Sequence, residues 1–234
     1  MKKLLYASLS FFFFLSFLTT SKAAPDGVAF NDLQNNHQLM QALDNKEANS
    51  LIGETILFPR EPFNIEQSVE IINTITNLPE SLLKKIHRAG IVVRLFNRKL
   101  TDNPSARHLK GVTPRGYTNG LTWDDVPGIG GSKVVLVKIG ASDRGNGHGS
   151  INLELHELAH SVDKLVFNNQ SKREPFKSVW EKERGSLFPG KDYFLTYSEE
   201  YFAEAFALYY YSDDTNILLK EKAPLTYDII KGLD

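Results

Sequence analysis

His156-Glu157-Leu158-Ala159-His160 stands inside an apolar run that includes Leu153, Leu155, Val162, Leu165 and Val166. On a helix this spacing puts two imidazoles one turn apart on the same face, with a carboxylate beside them. The flanks are apolar enough for a helix buried on most sides rather than solvated on one. Burying two unpaired rings would cost several kcal/mol, so a metal or a full set of hydrogen bonds has to compensate them. Zinc matches the donors: it takes neutral imidazole nitrogens, uses three protein ligands in catalytic sites, and keeps a fourth position for water. Glu157 is then the candidate base that takes the proton of that water as it attacks a carbonyl.

A third ligand is expected downstream. The acid-rich apolar helix after the motif is Tyr197-Ser198-Glu199-Glu200-Tyr201-Phe202-Ala203-Glu204-Ala205-Phe206-Ala207-Leu208-Tyr209-Tyr210. Glu200, Ala203, Glu204 and Ala207 share one helical face with small residues, which suits close approach to a neighbouring helix. Glu200 is therefore assigned as the third ligand, and Glu204, one turn on, as the acceptor that orients a ligating histidine. Glu199 points elsewhere and reads equally as a solvated N-terminal acid or as a cleft residue.

Five further segments bear on identity: Leu109-Lys110-Gly111-Val112, Thr122-Trp123-Asp124-Asp125-Val126-Pro127-Gly128, Gly130-Gly131-Ser132, Ile151-Asn152-Leu153-Glu154-Leu155-His156-Glu157 and Glu199-Glu200-Tyr201-Phe202-Ala203-Glu204. With them the chain, from about residue 54 onward, resembles the lethal-factor-like zinc metallopeptidases and, within these, the secreted bacterial Pro-Pro endopeptidases. The resemblance implies one zinc per chain on His156, His160 and Glu200. It also implies a catalytic tyrosine at Tyr193, which by itself reads as a half-buried loop aromatic. The implied substrates are proline-rich proteins or peptides, with bacterial surface adhesins as the natural class.

The 234-residue chain opens with Met1-Lys2-Lys3, continues apolar from Leu4 to about Leu18, and reaches Ser21-Lys22-Ala23. That pattern predicts a signal peptide over residues 1–23, cut after Ala23, since a cut after Ala24 would leave Pro25 next to the scissile bond. The remainder carries 24 basic against 28 acidic residues, a formal charge of −4. This mild acidity points away from nucleic acid. No cysteine is present, so there is no disulfide framework and no lipidated N-terminus. The expectation is a released, extracellular monomer without a membrane anchor.

Residues 24–50, polar and amide-rich, read as a flexible N-terminal extension, and residues 51–234 as one catalytic domain. Strands are expected at 54–58, 91–95 and 133–139, and helices at 65–76 and 80–87, with Gly90 as a helix stop. A Gly-rich loop follows to Ser150, then the metal helix, and the rest is helical. By resemblance the fold class is α+β: a single-domain, gluzincin-like zincin with a small sheet and metal helix on one side of a cleft and a helical C-terminal subdomain on the other.

A Pro-Pro bond constrains such a cleft. The residue after the cut lacks an N–H, and the one before it is held extended, so strand pairing is interrupted and selectivity must come from ring packing. Tyr117 and Trp123 are the aromatic candidates. The family has tryptophan at the position of Tyr117 and a loop one residue longer; Arg115 replaces a family lysine and is placed to pair with Glu199. The strand at 133–139 is expected to be the edge on which substrate adds, entered through small residues that include Gly131 and Ser132. His148 is kept as a substrate contact.

Overall fold

The structure is a computed structural model that describes residues 26–43, 49–117 and 120–233. The expected signal peptide lies outside these residues. Five strands, β1 (Val28–Ala29), β2 (Ile56–Phe58), β3 (Val92–Phe96), β4 (Gly128–Ile129) and β5 (Val134–Lys138), make one sheet in the order β1-β2-β3-β5-β4. The three central strands run parallel, with Val93 opposite Val135 and Leu95 opposite Val137, and both outer strands are antiparallel to their neighbours.

Side chains alternate across a strand, so the sheet sorts its residues onto two faces. Ile56, Phe58, Val93, Leu95, Val135 and Val137 enter the main core. Leu136 and Phe96 face the other way, joining Leu100 and Ala106 in a second cluster against which Trp123 packs. The main core is filled by α1 (His37–Ala42), α2 (Asn49–Ile52), α3 (Ile65–Thr76), α4 (Glu80–Arg88) and the motif helix α5 (Leu153–Ser161). Parallel strands need a crossover, which α3 and α4 supply between β2 and β3.

The C-terminal part is helical: α6 (Phe176–Leu187), α7 (Asp192–Thr196), α8 (Ser198–Tyr211), α9 (Asp213–Lys222) and α10 (Pro224–Lys231). Tyr201, Phe202, Ala203, Ala205, Phe206 and Ala207 are all fully buried, and with Glu200 and Glu204 also inside, α8 is enclosed on every face and becomes the hub of this half. The buried Glu183 of α6 caps α10, accepting from the Leu225 and Thr226 amides at 2.9 and 2.8 Å.

Three features differ from the sequence reading. Residues 24–50 are not uniformly a loose extension, because Val28–Ala29 pair with β2 and Phe30, Leu39 and Leu43 are buried. A few apolar residues among amides suffice once a sheet edge offers them partners. The strand at 134–138 is not an edge: β4 lies outside it, so the free edge is Gly128–Ile129. Tyr193 lies on the short helix α7 rather than in a loop.

Candidate active site

Asn152 starts the motif helix. Its side-chain oxygen accepts from the Leu155 amide at 2.9 Å, which fixes where α5 begins and hence which face carries the histidines. Gly130 sets how near the sheet edge comes to that helix: a Cβ there would lie 1.9 Å from the Glu157 carbonyl oxygen. Gly128 packs closely against Leu153 and the Glu157 side chain. Ser161 ties the far end, accepting from the Gly131 amide at 3.0 Å and donating to the Ser132 carbonyl at 2.8 Å.

The donor atoms of His156, His160 and Glu200 lie within 4.8 Å of one another. Glu200 Oε2 is 3.3 Å from His156 Nε2 and 3.2 Å from His160 Nε2. Glu204, wholly buried, takes His156 Nδ1 at 3.1 Å on one oxygen, while the other accepts from the Ile151 amide at 2.9 Å and from Arg144 Nη2 at 3.2 Å. That bond turns the Nε2 edge of His156 toward Glu200 and His160, where the neutral ring would offer its lone pair to a divalent metal. Two imidazoles and one carboxylate on neighbouring helices are a fitting donor set for such an ion.

The charges follow this geometry. Burial disfavours the His156 cation, but hydrogen bonds to Glu200 and Glu204 outweigh it and carry the ring up to about 10 without metal. Burial likewise opposes ionisation of Glu200, yet the two histidines hold it well below the ordinary carboxylate range. Glu157, partly exposed to the cleft, is pushed up by burial against the pull of both histidines. Tyr193 donates to Glu200 Oε1 at 2.9 Å, and burial with the Glu200 charge raises its phenol well above the usual value.

Around this centre is a cleft of about 710 Å³ lined by Arg115, Tyr117, Trp123, Gly131, His148, Tyr193 and Glu199 among others. Arg115 bonds Glu199 at 3.0 Å and Glu200 at 3.3 Å, and lies over the Tyr197 ring. Tyr117 faces the charges of Glu157 and Glu200; burial first, then those carboxylates, raise its phenol. Trp123 is both a wall of the cleft and part of the second core cluster. His148 bonds the Ala141 carbonyl through Nε2 at 2.7 Å. Ser132 does not line the cleft; its hydroxyl closes a turn with Val134. No local sequence pattern marks Arg144 or Ser161, because their partners are 60 and 30 residues away.

A small sheet with a motif helix beneath its free edge, and a glutamate ligand offered by a second helix, define a zincin-like metallopeptidase. The chain belongs to the anthrax-lethal-factor-like family: the profile described as "Anthrax toxin lethal factor, N- and C-terminal domain" matches residues 42–233. It is 38% identical over 196 residues to a Pro-Pro endopeptidase of Paenibacillus alvei, covering 83% of this chain and 90% of that protein. A Pro-Pro endopeptidase of Clostridioides difficile is 41% identical over 183 residues, 78% of this chain and 82% of the relative. The solved structure of the Paenibacillus alvei enzyme superposes with a TM-score of 0.74 at 39% identity, covering 79% of this chain and all of that one.

Proposed function

We propose that this protein is a secreted, zinc-dependent endopeptidase that hydrolyses Pro-Pro bonds in proline-rich segments of extracellular or cell-surface proteins such as adhesins. The observation that carries the reading is the convergence of His156, His160 and Glu200 in one cleft with Glu157 and Tyr193, in a chain alike over most of its length to two Pro-Pro endopeptidases. His156, His160 and Glu200 would hold the metal. When bound, zinc supplies Lewis acidity that lowers the pKa of water toward about 7.

The remaining chemistry belongs to the side chains. Glu157 takes the proton of the attacking water and delivers it to the departing proline nitrogen, which has no hydrogen of its own before the bond breaks. Tyr193, kept protonated by its surroundings, donates its O–H to the oxygen that becomes negative as the carbonyl turns tetrahedral. Glu204 keeps the His156 ring in one orientation through the cycle. Trp123 and Tyr117 supply the faces on which proline rings pack. Among the described residues no helix is long and apolar enough to cross a membrane, and the sequence-level leader supports export.

The test is a peptide library with a central Pro-Pro and varied flanks, read by mass spectrometry with wild type beside Glu157→Gln. Wild type is expected to cut between the prolines, and the variant to be slower by roughly 10² to 10⁴ while still binding zinc. Cleavage at other bonds would refute the Pro-Pro assignment.

A further inference from the structure

The metal helix and the sheet edge run side by side: Gly128 packs on Leu153, Gly130 on Glu157, and Gly131 near His160. The cleft therefore has two ends along α5. At the N-terminal end the wall holds Pro127, His148 and Leu153. Beyond His160 the wall changes character, with Asp163, Lys164, Asn169 and Lys172 replacing apolar groups.

That cationic end is built. Straight after α5 the backbone widens into a π turn, Val162–Val166, a distortion that often marks functional positions and here brings Lys164 to the cleft. The next residues carry two consecutive left-handed non-glycine positions, Asn168 and Asn169, at φ 55° and 56°. Such positions are strained and persist only where the surroundings impose them. Asp163, 4% exposed, does so: its carboxylate accepts from the Ser171 amide at 2.8 Å and hydroxyl at 2.6 Å, and its carbonyl from the Asn169 amide at 2.8 Å. Lys172 reaches Glu199 at 3.7 Å, which Arg115 already neutralises at 3.0 Å. Among the described residues no carboxylate pairs with Lys164. Set against Asp163 and Glu199, the cations Arg115, Lys164 and Lys172 leave this end with one net positive charge, in a chain that is acidic as a whole.

A substrate strand added antiparallel to β4 would lay the residues before its scissile bond over the Gly131 and Lys164 end. Lys164 is one helical turn past His160, about 5 to 6 Å, and an extended chain advances about 3.3 Å per residue. Allowing for side-chain reach, the cation meets a residue roughly two to four positions before the cut. We propose that Lys164, assisted by Lys172, makes the enzyme select substrates with an aspartate or glutamate two to four residues before the scissile Pro-Pro bond. The inference rests on the endopeptidase reading above and adds to it the charge of the preferred substrate.

The test uses zinc-loaded full-length enzyme and acetylated, amidated peptides with one fixed Pro-Pro core, placing Glu, Gln or Lys at each of those positions in turn. For at least one position Glu is expected to exceed Gln by roughly 3- to 10-fold in kcat/KM at low ionic strength, through KM. The ratio is expected to fall toward 1 near 1 M salt, where the Debye length is about 3 Å. Lys164→Glu should invert the preference, favouring the lysine peptide. A Glu to Gln ratio near 1 at every position in low salt, or a preference unchanged in Lys164→Glu, overturns the proposal. The wild-type salt series answers the question even if the variant folds poorly. If none of the peptides is cut between its prolines, the endopeptidase reading itself fails, which is a separate result.

Discussion

On the α5 and α8 side of the cleft, Glu204 is wholly buried and both its oxygens are bonded, to His156, the Ile151 amide and Arg144. On the facing loop, Arg115 has half its side chain in solvent and is held by two carboxylates and the face of Tyr197. The loop has its own anchor: Asp124 gathers the Thr101 hydroxyl, the Gly111 amide and the Thr122 hydroxyl, while Val112 and Leu121 remain exposed. Buried, fully satisfied polar networks have one geometry, and breaking one partner strands the others. Exposed ion pairs are individually worth about 0 to 1 kcal/mol and can be rearranged cheaply. One wall is therefore fit to keep the ligands preorganised for chemistry, and the other can change its substrate contacts without disturbing them.

The sharpest way to break this contrast is Tyr193→Phe, which deletes the α7 hydroxyl that donates to Glu200 Oε1 on the rigid side. Turnover is expected to slow by roughly 10² to 10³ with KM little changed, measured by steady-state kinetics on a Pro-Pro peptide. A loss carried by KM instead would move Tyr193 to the substrate-binding side.

Glu204→Gln comes next. It weakens the bond to His156 Nδ1, and a drop of roughly 10- to 100-fold in zinc affinity is expected in chelator competition. Unchanged affinity would mean that packing alone holds the ring.

Glu154, fully buried on the same helix, offers a stability test. Burial raises its carboxyl above the ordinary range, against the Asn152 side-chain bond. A raised folded value means the protonated form is favoured on folding. This stabilisation is complete below the unfolded value of about 4.3 and is lost as pH climbs through the folded one. Glu154→Gln should therefore melt above wild type at about pH 8, by about 2 to 4 °C for each kcal/mol recovered, with the gap closing toward about pH 4. Calorimetry showing a gap independent of pH would rule out this linkage.

The smallest effect is expected on the adjustable wall. Arg115→Ala should raise KM by about 2- to 5-fold at low salt and leave turnover little changed. A variant whose turnover fell by roughly a hundredfold or more would show that Arg115 holds Glu200 in place and that the two walls are one unit.

Much of this contrast is written locally. His156 and His160 share a helical face because four residues separate them, and Glu200 and Glu204 follow the same rule, so helical spacing located the two helices that meet at the candidate metal site. The helix at Ile65–Thr76 and the strands near residues 92–96 and 134–138 are legible for the same reason, since their apolar spacing is short-range. Tyr193 carries no such periodicity, and only family resemblance marks it; its place on α7, 2.9 Å from Glu200, is tertiary.

By itself, then, the sequence determined the chemistry of the donors and the helices that carry them, and its resemblance to a known family supplied the class of fold. Only the tertiary structure decided that β4 rather than β5 is the free edge, that the amide-rich segment adds β1, that Arg144 reaches Glu204, and that a π turn brings Lys164 to the cleft. The physical reason is range. Helical spacing and ligand preference act within a turn or two of chain, whereas edge order and charge placement come from pairings between residues far apart in sequence, which local propensity does not encode.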